Sequence, residues 1–101
     1  MFIAVVDFHT LPENRAAALD VLLGERAALT AIPGNVSHRV FTNAGSNSHV
    51  GLIHEWQTQA AFETYLASPG FARAGQALRP LMTGAPQSRR MTATLCENAT
   101  G

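Results

Sequence analysis

Apolar residues recur along this chain with two periods, and the changes of period mark out its elements. Phe2-Ile3-Ala4-Val5-Val6-Asp7-Phe8 is short, apolar and β-branched, and predicts a strand. Leu11-Pro12-Glu13-Asn14 punctuates it, with Pro12 suited to the first turn of a helix and Glu13 to its positive end. From Arg15 to about Leu29 the residues are mostly Ala, Leu, Arg and Glu, and Leu19, Leu22, Leu23 and Leu29 fall at helical spacing. Ile32-Pro33-Gly34 closes that helix. Val36 to Thr42 alternates as a second strand, Asn43 to Ser48 has the composition of a hairpin loop, and Val50 to Trp56 reads as a third strand. Thr58 can cap a helix carrying Phe62, Tyr65 and Leu66. Ser68-Pro69-Gly70 interrupts it, and Phe71, Ala74, Leu78 and Leu81 continue a helical stripe. After the loop Gly84-Ala85-Pro86, Met91 to Leu95 is expected as the last strand.

The order β-α-β-β-α-β predicts an α+β, ferredoxin-like fold. A right-handed crossover makes the first two strands parallel, and the third inserts between them, antiparallel to both. Both helices then cover one face of a four-stranded antiparallel sheet, leaving the other face to seek a partner. A hairpin centred on Ser46 sets Val36 opposite Trp56, His38 opposite His54 and Val40 opposite Leu52. Ser37, Arg39, Phe41, Gly51, Ile53 and Glu55 take the other face. For the first strand, Ile3, Val5 and Asp7 share one side and Phe2, Ala4, Val6 and Phe8 the other, and spacing does not say which side meets the helices.

A length of 101 residues holds one domain, here expected over 1–96 with a frayed, disordered tail over 97–101. With 47% hydrophobic and 14% charged residues the chain is globular rather than disordered. Seven Arg and no Lys balance seven acids, so no basic excess supports nucleic-acid or membrane-surface binding. One cysteine, Cys96, excludes an intrachain disulfide and fits a reducing, cytoplasmic setting. The apolar start has no basic flank before it, as a signal peptide would, and no run is long enough to span a membrane.

Pro33-Gly34 before the second strand, His54-Glu55-Trp56 ending the third, Ala61-Phe62, and Leu66-Ala67-Ser68-Pro69-Gly70-Phe71 resemble the antibiotic biosynthesis monooxygenase family over about residues 2–95. That resemblance implies a homodimer in which two sheets pack face to face as a dimeric α/β barrel, each subunit keeping a pocket between its sheet and helices. It also implies that Asp7 and Trp56 line the pocket. Ile3, Val5, Asp7, His38, Leu52, His54 and Trp56 would then face the helices. Phe2, Ala4, Val6, Phe8, Phe41 and Ile53 would face the partner, with Arg39 and Glu55 beside them as a pair. The family's haem-degrading members carry an axial histidine where this chain has about Ala74, and no histidine follows His54, so no haem is expected. Leu52, Phe62 and Gly70 replace an Asn, a Tyr and a His used or common elsewhere in the family, and Tyr65 stands where haem-degrading members place a Trp.

His54 and His38 are the sharpest chemical feature. Two imidazoles on an apolar face are costly unless bonded. The functional reading is a general base at His54, oriented by Asp7 or His38, that takes a proton from a phenol or activated C–H. The plainer alternative is a pair of structural histidines bonded to backbone or water. A metal set of His38, His54 and Asp7 has no spacing motif behind it, and no metal, flavin or nucleotide site is expected. Asp7 is either a pocket carboxylate or a solvated acid at the strand end. Trp56, Phe62, Tyr65 and Leu52 are the expected substrate-binding residues, with core packing as Trp56's default. Phe62, Tyr65, Phe71 and Leu78 fit a helix-to-sheet core. His9 and His49, beside loops, are expected to be exposed. The expected function is a cofactor-free monooxygenase that converts a small hydroxylated aromatic or hydroquinone-like molecule to a quinone. A non-catalytic small-ligand-binding or stress-associated dimer and a cofactor-free isomerase are the alternatives.

Overall fold

A computed structural model describes residues 1–100. Its elements are β1 (Phe2–His9), α1 (Arg15–Thr30), β2 (Asn35–Phe41), β3 (His49–Trp56), α2 (Gln59–Leu66), α3 (Pro69–Leu78) and β4 (Gln87–Thr92), with single 3-10 turns at Pro12–Asn14 and Arg79–Leu81. The strands form one sheet in the order β2-β3-β1-β4, with every neighbouring pair antiparallel. This is the expected ferredoxin-like arrangement.

Local chemistry explains the helix ends. The Thr58 hydroxyl accepts the Ala61 N–H at 3.2 Å and starts α2, and the Ser68 hydroxyl accepts the Phe71 N–H at 3.3 Å and starts α3. Pro69 at the first position of α3 splits the expected second helix into two. Ala18, Leu22 and Leu29 give α1 its buried stripe. On the outside, the Arg73 guanidinium donates to both carboxylate oxygens of Glu25, at 2.8 and 2.9 Å, tying α3 to α1 and holding the Glu25 carboxyl below its ordinary range.

The core is two apolar clusters end to end under the helices. Phe8, Ala18, Leu22, Val50, Leu52 and Leu78 fill one, and Phe2, Ala4, Leu29, Trp56 and Phe62 the other. Both clusters draw on the even-numbered side of β1, which corrects the expected facing of that strand. In the ladder Phe2 pairs with Trp56, Ala4 with His54, Val6 with Leu52 and Phe8 with Val50, and paired residues share a face. Burying two phenylalanines under the helices sends Ile3, Val5 and Asp7 to the open face. There they join Phe41, Ile53, the Arg39–Glu55 ion pair (3.2 Å) and, from β4, Arg89 and Met91.

Two further differences have local causes. His38–His54 and Val40–Leu52 pair as expected, but Trp56 lies opposite Asn35, because an irregularity between Asn35 and Ser37 lifts Val36 out of the ladder and leaves it 52% exposed. The Asn35 side-chain amide donates to the Ser37 and Glu55 carbonyls at this bulge, both at 3.3 Å. The last strand begins at Gln87 instead of Met91, and all its residues are exposed. An edge strand buried on neither face carries no apolar alternation to read. Residues 93–100 lie outside any helix or strand, and Gly101, the end of the expected tail, lies outside the described residues.

Gly34 fixes the entry to β2. Its φ is +93°, and a Cβ there would sit 2.7 Å from the Ala61 Cβ. Gly34→Ala is therefore expected to destabilise the fold by about 1–3 kcal/mol. Urea unfolding followed by circular dichroism checks this, and an unchanged midpoint would contradict the assigned turn.

Candidate functional site

A cavity of about 630 Å³ lies between the sheet and the α2–α3 layer. Its floor includes Ala4, Val6, Leu52 and His54 from the central strands. Its other walls include Phe62, Tyr65 and Leu66 from α2, Phe71, Ala74 and Leu78 from α3, and Arg79, Ser88 and Arg90. The lining contains no carboxylate and is mostly apolar, the usual character of a small-molecule site.

His54 is 2% exposed and is held by one strong contact: the Trp56 indole Nε1–H donates to its Nδ1 at 2.7 Å. An indole nitrogen only donates, so His54 Nδ1 carries no proton and the neutral ring holds its single proton on Nε2. Nε2 makes no hydrogen bond to a described residue, and its N–H is the polar group His54 brings to the cavity wall. Aromatic rings surround the imidazole: Tyr65 at 5.4 Å and Phe62 at 5.6 Å between centroids, with Trp56 at 5.8 Å. Burial pushes its pKa from 6.5 down to about 4, helped by His38 and then Arg90. Tyr65 is pushed the other way, up to about 12, by burial and by Glu25, and stays a neutral phenol.

The expected site residues divide. His38 shares the His54 face, with ring centroids 6.4 Å apart, too far for a direct hydrogen bond. It is 3% exposed, its Nδ1 is buried without a partner, and burial together with Arg26 lowers its pKa. It belongs to a second hollow of about 360 Å³ with Leu23, Arg26 and Val40. Leu52, Phe62 and Tyr65 line the main cavity. Trp56 does not: it is fully buried behind His54 and stacks on Tyr65 at 5.7 Å. Phe71 lines the cavity from a position 41% exposed, more open than a core role implies.

Asp7 lies on the opposite face of the sheet and cannot orient His54 or join it around a metal. It accepts instead from His49 Nε2 at 2.7 Å, with Arg89 at 3.9 Å. The backbone N–H of Asn43 donates to His49 Nδ1 at 2.8 Å, so His49 also has its proton on Nε2. His49 is 7% exposed rather than open to solvent, because the hairpin loop folds over it. His9 is exposed as expected, 3.0 Å from the Ser48 hydroxyl. The residues that sequence reasoning missed are Arg79 and Arg90. Arg90 pairs with Ala4, which turns it to the helix side, where its guanidinium lies 5.0 Å from the centre of the Phe62 ring. Its neighbour Arg89 turns to Asp7. Strand alternation separates the two, a signal that appears only once β4 is known to begin at Gln87.

Comparison with known proteins adds to this geometry. The sequence model of a family described as Antibiotic biosynthesis monooxygenase matches residues 1–77. A candidate antibiotic biosynthesis monooxygenase from Deinococcus radiodurans superposes with a TM-score of 0.90 at 24% identity, covering 100% of both chains. SnoaB, a cofactor-independent oxygenase from Streptomyces nogalater solved in a mutant form, superposes with a TM-score of 0.77 at 29% identity, covering 95% of this chain and 98% of its own. A protein of Mycobacterium tuberculosis superposes with a TM-score of 0.86 at 18% identity, covering 97% of this chain and 98% of its own. No curated protein sequence matches the chain.

The depressed pKa of His54 has a consequence for stability. Between pH 6.5 and about 4 the unfolded chain takes up a proton at this ring that the folded chain refuses. Its stabilising contribution is complete above pH 6.5 and is lost as pH falls through about 4, a change of up to about 3 kcal/mol. Unfolding midpoints measured across this window should fall with pH, and His54→Asn should flatten the dependence. An identical slope in both proteins would show that His54 is not a buried neutral ring.

Proposed function

The chain belongs to the antibiotic biosynthesis monooxygenase family, and from that premise we propose that it is a cofactor-independent oxygenase that converts a hydroxylated aromatic to a quinone. The observation that carries this reading is the cavity of about 630 Å³, mostly apolar, with one buried imidazole, two arginines and no carboxylate in its lining. A flat aromatic of two or three fused rings suits such a volume, with its ring against Phe62 and Tyr65 and its hydroxyl oxygen near His54. Similarity to SnoaB, itself a cofactor-independent oxygenase, supports the same reading.

The chemistry balances without an external reductant. Ionisation of the phenol raises electron density at the ring carbon para to it, and that carbon gives electrons to dioxygen. One oxygen atom becomes the new carbonyl, the other leaves as water with the two displaced hydrogens, and the four electrons come from the substrate. The enzyme's part is to hold the ionised ring in a mostly apolar pocket beside fixed donors. His54 is the proposed catalytic residue, meeting the phenolic oxygen, with Leu52, Phe62 and Tyr65 shaping the pocket. The setting proposed is the cytoplasm, in keeping with a single exposed cysteine.

The open sheet face supplies the proposed assembly. Ile3, Val5, Phe41, Ile53 and Met91 lie there with no helix over them, and a second copy presents the same apolar set with matching Arg39–Glu55 pairs.

Two outcomes test these readings. Incubated with dihydroxynaphthalenes or larger fused-ring phenols in air, the protein should consume one dioxygen per quinone formed, and His54→Ala, which removes a fixed donor to the phenolic oxygen, should lower the rate by roughly 10²–10³-fold. No oxygen uptake with any fused-ring phenol that binds would favour a carrier over an enzyme. Light scattering at micromolar concentration should give about twice the 10.8 kDa chain mass, and Ile53→Arg should shift it to monomer. A wild-type monomer would overturn the assembly.

A further inference from the structure

The orientation of His54 carries a consequence for how the cavity recognises its substrate, and it rests on the cavity being the substrate site. We propose that His54 acts there as a fixed N–H donor to an anionic oxygen rather than as a general base, that Trp56 is the positioning residue that fixes this donor, and that the cavity therefore takes the ionised form of a phenol.

Three observations bear on this. The first is the bond from the Trp56 indole to His54 Nδ1, at 2.7 Å. With Nδ1 occupied by a group that cannot accept, the ring can bind a second proton only by giving up that bond and turning an N–H toward an N–H. The free nitrogen, Nε2, already carries a proton and has no lone pair to offer. The second is charge. Arg79 and Arg90 line the same cavity, and neither Asp nor Glu does, so an anion entering it meets cations with no competing carboxylate. The third is the set of titratable and charged groups around the ring: His38 from β2, Tyr65 from α2 and Arg90 from β4. His38 and Arg90 lower the proton affinity of His54, Tyr65 is a neutral phenol, and none is a carboxylate able to stabilise an imidazolium. A base here would have to form an imidazolium on a buried ring beside Arg90, whereas a donor needs no change of protonation. The proton lost by the phenol goes to bulk water or buffer.

The experiment is anaerobic binding of 4-nitrophenol, whose absorption distinguishes phenol from phenolate. It is done below the free phenol's pKa with the full-length protein, so oxygen chemistry plays no part. Proton release is measured by calorimetry in buffers of different ionisation enthalpy, and the His54 ring by nitrogen-15 NMR. The expected result is bound phenolate, one proton released per ligand, and His54 still protonated on Nε2 alone. In Trp56→Phe both neutral tautomers of His54 should be populated, and phenolate affinity should fall about tenfold or more. His54→Gln, which keeps a side-chain N–H but cannot serve as a base, should retain more of that affinity than His54→Ala. Bound phenolate with no net proton release and a doubly protonated His54 would overturn the donor assignment while leaving the proposed oxygenase intact. Binding of the neutral phenol would overturn it as well. Failure of fused-ring phenols, tried in parallel, to bind at all would overturn both this inference and the reading of the cavity.

Discussion

The hydrogen bond between the Trp56 indole and the His54 imidazole is the interaction on which the site depends. Both rings sit on the inner face of β3, and both are buried among Phe62, Tyr65 and the sheet. Each has a polar nitrogen that would be costly to bury alone, and one bond satisfies both. It also removes a freedom that imidazole ordinarily has, the choice of which nitrogen carries the proton. Residues two apart on a strand lie on the same face, so the spacing His54-Glu55-Trp56 is itself what lets the indole reach the ring. Glu55, between them, turns to the open face and meets Arg39.

The two faces of the sheet thus hold two histidine systems with opposite partners. Below the helices, His54 is bonded to an indole and faced by cations. On the open face, His49 is bonded to the Asp7 carboxylate and to a backbone amide. Both rings carry their proton on Nε2, but His49 spends its N–H on Asp7, whereas the N–H of His54 is unspent. Only the second has a donor left for a ligand. The burial of His38 with an unpartnered Nδ1 sets it apart from both: it stands beside His54 on an edge strand, in a hollow of its own, and adds to the forces that keep His54 neutral.

Most of the fold was legible because its signals are local. Pro-Gly before β2, the Thr58 and Ser68 caps and the apolar periods of α1 and β3 each act within a few residues of where they are read. The pairing of His38 with His54 followed from a loop centred on Ser46. The facing of β1 did not follow, because its residues are apolar on both sides of the pleat and alternation has nothing to contrast. The choice is made by volume: Phe2 and Phe8 need the depth under the helices, and Asp7 goes where water and His49 can reach it. The misplacement of Asp7, and with it the picture of a carboxylate orienting His54, came from that one parity. Val36 was misplaced by a bulge, which no periodicity announces. Arg90 was invisible for a related reason: β4 is polar and exposed on both sides, so neither its start nor its inward residue shows in the sequence.

The charges around the cavity act on the histidine and on any ligand through the same field. Arg90 lies close enough to His54 to lower its proton affinity, although burial does most of the work. A positive potential that disfavours a proton on the imidazole must favour a negative charge at the same place. Placing a carboxylate beside His54, as in a hydrolytic triad, would reverse both effects at once by stabilising the imidazolium and repelling an anion. The fold keeps Asp7 and Glu55, the acids of the two central strands, on the far side of the sheet, so that His54 has an indole behind it and a cavity walled by a neutral phenol and two guanidinium groups in front. In that setting a neutral ring with a fixed N–H is the form of histidine that both the packing and the field select.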